Sequence, residues 1–77
     1  MSIKILYFGA ISEATGTNEL VLDYSGSIRD LVARLKNTYP SLARHNLLVA
    51  VNEEYSDGSA TLNDGDEVAI FTPVSGG

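Results

Sequence analysis

Between Ser27 and Pro40 the chain holds one stretch whose apolar residues, Ile28, Leu31, Val32, Leu35 and Tyr39, recur at helical spacing, with Arg29, Arg34 and Lys36 mainly off that stripe. A helix of this kind has one apolar face, and that face must be buried against something. Ser27 suits the N-cap position, and Asp30 three residues later adds a weak capping box and a favourable charge near the helix N-terminus. Pro40 disfavours helical geometry at the residue before it, so the spacing predicts a helix ending at Tyr39 or one residue earlier. Whatever covers this helix has to come from the segments on either side.

Those segments read as strands. Ile3 to Phe8 sets Ile3, Ile5 and Tyr7 against Lys4, Leu6 and Phe8; the first set faces the core, and the second makes a face that is partly apolar yet off the core. Gly9 ends this strand, and Ala10 to Thr15 fits one helical turn before Gly16. Glu19 to Asp23 carries Leu20, Val21 and Leu22 and pairs with the first strand as a hairpin, across a connection longer than a tight turn. Tyr24-Ser25-Gly26 then breaks it. After the helix, Leu47 to Val51 is a short apolar run that fits a third strand. Asn52 to Asp57 continues as a turn or short strand, with a turn signal at Asp57-Gly58, and Ala60 to Leu62 fits another brief strand. Asp64-Gly65-Asp66 turns the chain into a last strand, Glu67 to Thr72, which Pro73 ends because it has no N–H for a ladder. One amphipathic helix between two strand-rich halves predicts an α+β domain: a mixed sheet of four to five strands with the main helix on one face, as in a β-grasp. Residues 1–72 form this domain, and residues 73–77 an extended tail.

Composition narrows the function. The net charge is −5 with only five Lys and Arg, which argues against a nucleic-acid partner, since that affinity begins with neutralised phosphates. A basic protein partner suits the charge, and so does a simple role in solubility. The absence of cysteine excludes a disulfide framework, a thiolate metal site, a cysteine persulfide and a cysteine nucleophile. No apolar run approaches the ~20 residues that span a bilayer, and the start of the chain leads straight into strand-like sequence, so no membrane is expected and the cytoplasm is the default compartment. At 77 residues the domain buries only about 60–65% of its unfolded surface, which makes its stability modest.

An ordinary active site is hard to find. His45 stands alone in the polar stretch Arg44-His45-Asn46, where a solvated residue is the commoner outcome than a base. Glu53 and Glu54 are adjacent, and in a strand they would point to opposite faces. Asp64 and Asp66 flank a glycine and suggest turn chemistry rather than a calcium loop. No glycine-rich phosphate loop occurs, and neither a bound metal nor a resident cofactor is expected. What remains is the tail, Val74-Ser75-Gly76-Gly77. It reads either as a frayed end or as a reactive one. Two residues without Cβ atoms can thread a narrow channel, and they present an unhindered carboxylate whose carbonyl can be activated without cutting the chain.

Leu6-Tyr7-Phe8-Gly9, Val51-Asn52-Glu53 and Leu62-Asn63-Asp64-Gly65-Asp66-Glu67-Val68-Ala69, running on to Pro73-Val74-Ser75-Gly76-Gly77, resemble the small subunit of molybdopterin synthase, a ubiquitin-like β-grasp sulfur carrier. The resemblance covers the whole chain. It implies that the Gly77 carboxylate is adenylated with ATP by a separate adenylyltransferase similar to those that activate ubiquitin. A sulfur-donating enzyme then supplies the sulfur of a thiocarboxylate. The tail, Pro73, Val74, Ser75 and Gly76, would enter the large synthase subunit, where sulfur passes to cyclic pyranopterin monophosphate in molybdenum cofactor biosynthesis. The resemblance also makes Phe8, Tyr55 and Phe71 an apolar docking patch on the sheet, and the alternation of the first and last strands independently turns Phe8 and Phe71 away from the core. The chain would have no catalytic side chain of its own. Two positions depart from the family pattern: Thr72 stands where a first proline is frequent, and Ser12 where a basic residue often precedes Glu13. The related carrier for thiamine thiazole synthesis shares the terminus, but Pro73-Val74-Ser75 argues against it. A ubiquitin-like modifier conjugated through Gly77 and a plain interaction domain are the other readings.

Overall fold

The computed structural model describes residues 2–56 and 58–73. Its elements, in chain order, are β1 (Ser2–Tyr7), α1 (Ala10–Thr15), β2 (Glu19–Asp23), β3 (Gly26–Ser27), α2 (Ile28–Thr38), a 3-10 turn (Pro40–Arg44), β4 (Leu48–Val51), β5 (Glu54–Tyr55), β6 (Thr61–Leu62) and β7 (Glu67–Phe71). Five strands form one mixed sheet in the order β2-β1-β7-β4-β5, with β1 and β7 parallel at its centre and every other pair antiparallel. α2 covers one face. This is the β-grasp arrangement that the sequence predicts, with five strands.

Strand alternation decides what the helix covers. Ile3, Ile5 and Tyr7 of β1 and Val68 and Ile70 of β7 are buried, and Val49 of β4 joins them beneath Ile28, Leu31 and Leu35 of α2. Val32 lies at the margin of this core and is only partly buried. The Ser27 hydroxyl caps α2 by accepting a hydrogen bond from the Asp30 N–H at 3.1 Å. The helix ends at Thr38, as Pro40 requires.

Three features lie outside the sequence reading. Gly26–Ser27 forms a two-residue ladder with Thr61–Leu62, a second small sheet that seats the buried Leu62. Pro40 ends α2 and also opens the 3-10 turn that carries the buried Leu42, a position where its missing N–H costs nothing. Ile11 on α1 is fully buried and closes the core at the end of the sheet where Tyr7 lies. Several strand boundaries move by one residue. Phe8, for example, falls outside β1, although its N–H still donates to the Ile70 carbonyl at 3.1 Å.

The β4–β5 connection is a two-residue hairpin turn in which Asn52 and Glu53 both take positive φ, 51° and 72°. Glu53 therefore sits in the turn and not in a strand, which corrects the alternation assigned to Glu53 and Glu54. Asn52 holds the turn to the start of β7: its amide NH2 donates to the Asp66 carboxylate at 3.0 Å, and its side-chain carbonyl accepts from the Glu67 N–H at 3.0 Å. The other oxygen of Asp66 accepts from the Asn63 N–H at 2.7 Å, and Asp64 accepts from the Ser2 N–H at 2.6 Å. The two aspartates thus build the turn between β6 and β7, as their spacing around Gly65 suggests.

Candidate functional site

The sheet face away from α2 divides into an apolar end and a charged end. β4 and β7 place Leu48 opposite Phe71 and Ala50 opposite Ala69, and β5 places Tyr55 opposite Ala50. β1 runs parallel to β7 with Leu6 beside Ala69, and Phe8 lies one step past the last paired residues, Tyr7 and Ile70. Phe8, Phe71 and Leu48 therefore form one row across the sheet, and Leu6, Ala69, Ala50 and Tyr55 the next. Toward the other end, Lys4 pairs with Glu67 on one side and Val21 on the other, and its ammonium reaches the Glu19 carboxylate at 3.2 Å.

The three aromatic residues expected to form a docking patch are brought together here. Phe8 is 50% exposed and Tyr55 77% exposed, a large apolar outlay for a domain this small. Phe71 is half-buried, and its ring lies 5.8 Å from the Tyr55 ring at a tilt of 57°. That contact fixes Tyr55 on an edge strand only two residues long. Gly9 turns the chain immediately after Phe8 with φ 56° and ψ −128°, a backbone region that residues with a Cβ avoid, and this sharp exit leaves the Phe8 ring uncovered. A depression of about 350 Å³ beside Phe8 is lined by Leu6, Asn18 and Glu19, among others. Ser12, where a basic residue is frequent in the family pattern, turns its hydroxyl back to the Gly9 carbonyl at 2.8 Å.

β7 delivers the chain to the apolar end of this face: Phe71 closes the strand, Thr72 is half-buried and Pro73 is exposed. The remaining predicted site residues, Val74, Ser75, Gly76 and Gly77, lie outside the described residues.

No conventional catalytic cluster stands elsewhere among the described residues. Among the described residues no group of three or more His, Asp and Glu side chains is placed to hold a metal. His45 is half-buried at the end of the 3-10 turn, where its N–H donates to the Leu42 carbonyl. The one buried polar group lacking a hydrogen-bond partner among the described residues is the Tyr7 hydroxyl. Burial, and to a lesser degree the neighbouring Tyr39, pushes its pKa up to about 12. The two rings meet edge-on, 6.4 Å apart. A phenol so hard to ionise beneath the sheet is a packing residue, not a base. Among the described residues no helix is long and apolar enough to cross a membrane.

Known proteins resemble this chain in sequence and in fold. The molybdopterin synthase sulfur carrier subunit of Chlamydomonas reinhardtii is 37% identical, with all of both chains covered. Among solved structures, the small archaeal modifier protein SAMP1 of Haloferax volcanii superposes with a TM-score of 0.84 at 26% identity over all of both chains. A complex of subunits 1 and 2 of the molybdopterin-converting factor from Helicobacter pylori contains a chain of the same fold, at a TM-score of 0.74 and 22% identity over all of both chains. Residues 5–77 match the ThiS family. The chain belongs to the ThiS family, and the relatives it matches from end to end there are molybdopterin synthase sulfur carrier subunits.

Proposed function

We propose that this chain is the sulfur-carrying small subunit of a molybdopterin synthase and that it holds sulfur as a thiocarboxylate on Gly77. The observation that carries the reading is the end-to-end match to sulfur carrier subunits in a chain that has no cysteine to hold sulfur anywhere else. A carboxylate is a poor electrophile, so it must first be activated. One Gly77 oxygen attacks the α-phosphorus of ATP and releases pyrophosphate, leaving an acyl-adenylate. Sulfide (HS−) released by the donor enzyme adds to the acyl carbon, AMP departs with the bonding pair, and loss of the sulfur-bound proton leaves a thiocarboxylate. In the synthase, that sulfur attacks a carbon of cyclic pyranopterin monophosphate, the oxygen that carbon held leaves with its bonding pair, and water then cleaves the acyl–sulfur bond to return the carboxylate and leave the sulfur on the pterin.

The chain's own part in these steps is presentation. Pro73 to Gly77 enters the active site of each partner, while Phe8, Tyr55 and Phe71 seat the sheet against it. ATP binds to the adenylyltransferase and not to this domain. The subunit 1–subunit 2 complex from Helicobacter pylori supports a large-subunit partner. We place the chemistry in the cytoplasm.

Mass spectrometry of the full chain after incubation with an adenylyltransferase, ATP and a sulfur donor tests the proposal. Exchange of one oxygen for sulfur at Gly77, followed by loss of that sulfur when the large subunit and pterin substrate are added, is the expected result. Conjugates to protein lysines would instead make it a modifier. Transfer of the sulfur to the thiazole-forming enzyme and not to the pterin would make it a thiamine-pathway carrier. An unchanged mass would leave an interaction domain.

A further inference from the structure

The hydrogen bonds of β1 fix which way the backbone of β2 points. The Lys4 N–H donates to the Asp66 carbonyl at 2.9 Å and the Phe8 N–H to the Ile70 carbonyl at 3.1 Å, both on the β7 side. The Tyr7 N–H donates instead to the Asn18 carbonyl at 2.9 Å, on the β2 side. Even-numbered residues of β1 thus bond to β7 and odd-numbered ones to β2, so Ile3–Leu22 and Ile5–Leu20 are the hydrogen-bonded pairs. Lys4–Val21 and Leu6–Glu19 are the intervening pairs, in which the β2 residue turns its N–H and C=O away from β1. β2 ends the sheet, and among the described residues β1 is its only strand neighbour. The Thr17 hydroxyl donates to the Glu19 carbonyl at 3.0 Å, which leaves the Glu19 N–H and both backbone groups of Val21 along the outer edge.

Side chains define what this edge takes. Leu20 and Leu22 pack against the core, while Glu19, Val21 and Asp23 are exposed on the outer face. No proline or glycine interrupts the strand to keep another strand away. Around Val21 the outer face sets three carboxylates, those of Glu19, Asp23 and Glu67, against the single ammonium of Lys4. A second copy suits this edge badly, because two β2 strands paired antiparallel about Val21 would place Glu19 opposite Asp23 twice. A segment with an apolar residue opposite Val21 and a basic residue two positions to either side meets both carboxylates with opposite charge. Its own backbone completes the open hydrogen bonds. The charges on β2 thus discriminate among strands as well as keeping the edge soluble.

We infer that the outer edge of β2 is a docking site for an extended segment of a protein partner, with basic side chains on either side of an apolar one, which adds itself to the sheet as a further strand apart from the aromatic patch. The test is nuclear magnetic resonance of the isotope-labelled full chain with the synthetic peptide acetyl-Lys-Thr-Val-Thr-Lys-amide. In the free chain the Val21 amide should exchange with water far faster than the Leu20 and Leu22 amides. Peptide should slow that exchange and shift signals from Glu19 to Asp23, with an affinity that falls as salt is raised. Val21→Pro removes an outward N–H without touching the β1 ladder and should weaken binding by about tenfold. Glu19→Lys, at an exposed side chain, should weaken it by about threefold or more, and a peptide with glutamates in place of the lysines should not bind. An unchanged spectrum away from β2 shows that each variant folds. The inference is overturned if shifts centre on Phe8 and Phe71, if no shifts occur, or if Glu19→Lys or a folded Val21→Pro binds as well as the original. It is equally overturned if the Val21 amide is already protected in the free chain. Protection that depends on protein concentration would put a second copy on the edge, and protection lost on truncation after Pro73 would put the chain's own residues 74–77 there.

Discussion

Truncating Tyr55 to alanine should separate binding from folding, because the side chain is 77% exposed in the free domain. A tyrosine presents roughly 200 Å² of surface, so about 150 Å² is open to a partner and about 50 Å² is already covered. At about 25 cal/mol per Å², the covered part together with the weak ring contact to Phe71 contributes about 1.5 to 2 kcal/mol to folding. The open part sets a ceiling near 4 kcal/mol on its contribution to docking, and incomplete coverage brings that to about 2–3 kcal/mol, a roughly 30- to 150-fold loss of affinity. Isothermal titration of the large subunit into the variant measures the second quantity, and thermal unfolding of the free domain measures the first. Val21→Asp is the control. Val21 is 66% exposed on the same sheet face, but it is paired with Lys4 at the charged end, so its replacement should leave affinity within about twofold. The docking argument fails if Tyr55→Ala costs less than about threefold in affinity, or if Val21→Asp costs as much as Tyr55→Ala.

Three further outcomes are expected. Tyr7→Phe removes a buried hydroxyl that has no partner among the described residues and should leave stability at pH 7 unchanged or raised by up to about 1 kcal/mol. The parent should also lose stability as pH rises from about 10 toward 12, because the unfolded phenol ionises first while the folded one, at about 12, holds its proton; chemical denaturation at several pH values should show that this slope is reduced in the variant. Asn52→Ala gives up two side-chain hydrogen bonds and a residue suited to positive φ, so urea unfolding should show a loss of about 2–3 kcal/mol. Adding one alanine after Gly77 should abolish sulfur loading, read by mass, and leave the thermal midpoint unchanged within error; loading that persists would move the reactive group away from Gly77.

The elements that the sequence foretold are those whose burial is periodic. Ile3, Ile5 and Tyr7 alternate cleanly, and Ile28, Leu31 and Leu35 keep to one stripe, so the core and the helix face follow from spacing alone. The same alternation placed Phe8 and Phe71 on the outer face. Strands β3 and β6 were not legible as a pair, because two residues carry no period and their ladder exists only where α2 and the β6–β7 turn bring them together. Ile11 is the only large apolar residue in its short helix, and Leu42 follows a proline that reads as a stop, so both buried positions are set by tertiary contacts. The positive φ at Asn52 did have a signal, since asparagine tolerates that region, but the adjacent Glu53 in place of the usual glycine hid the hairpin turn. Val32 reads as core for a related reason and is only partly buried, because a residue at the margin of an apolar stripe gives no sign of how much covers it.

The position of the tail constrains how partners take turns. Pro73 follows Phe71 by two residues, and Phe71 belongs to the aromatic row with Phe8 and Leu48. From Pro73 to Gly77 the chain spans at most about 14 Å fully extended, whatever path it follows. An enzyme that encloses the Gly77 carboxylate must therefore bring its own surface to within that distance of the aromatic row. Under the proposed function the activating enzyme and the large subunit would each have to do this, and an apolar patch bounded by Lys4, Glu19 and Glu67 has room for one of them. The two partners should then exclude one another: large subunit added to a preformed complex with the activating enzyme should displace the carrier, seen as a shift in elution on size-exclusion chromatography, and never join it. A stable ternary complex would mean that one enzyme holds the carrier away from this face, and the shared-patch account would have to be abandoned.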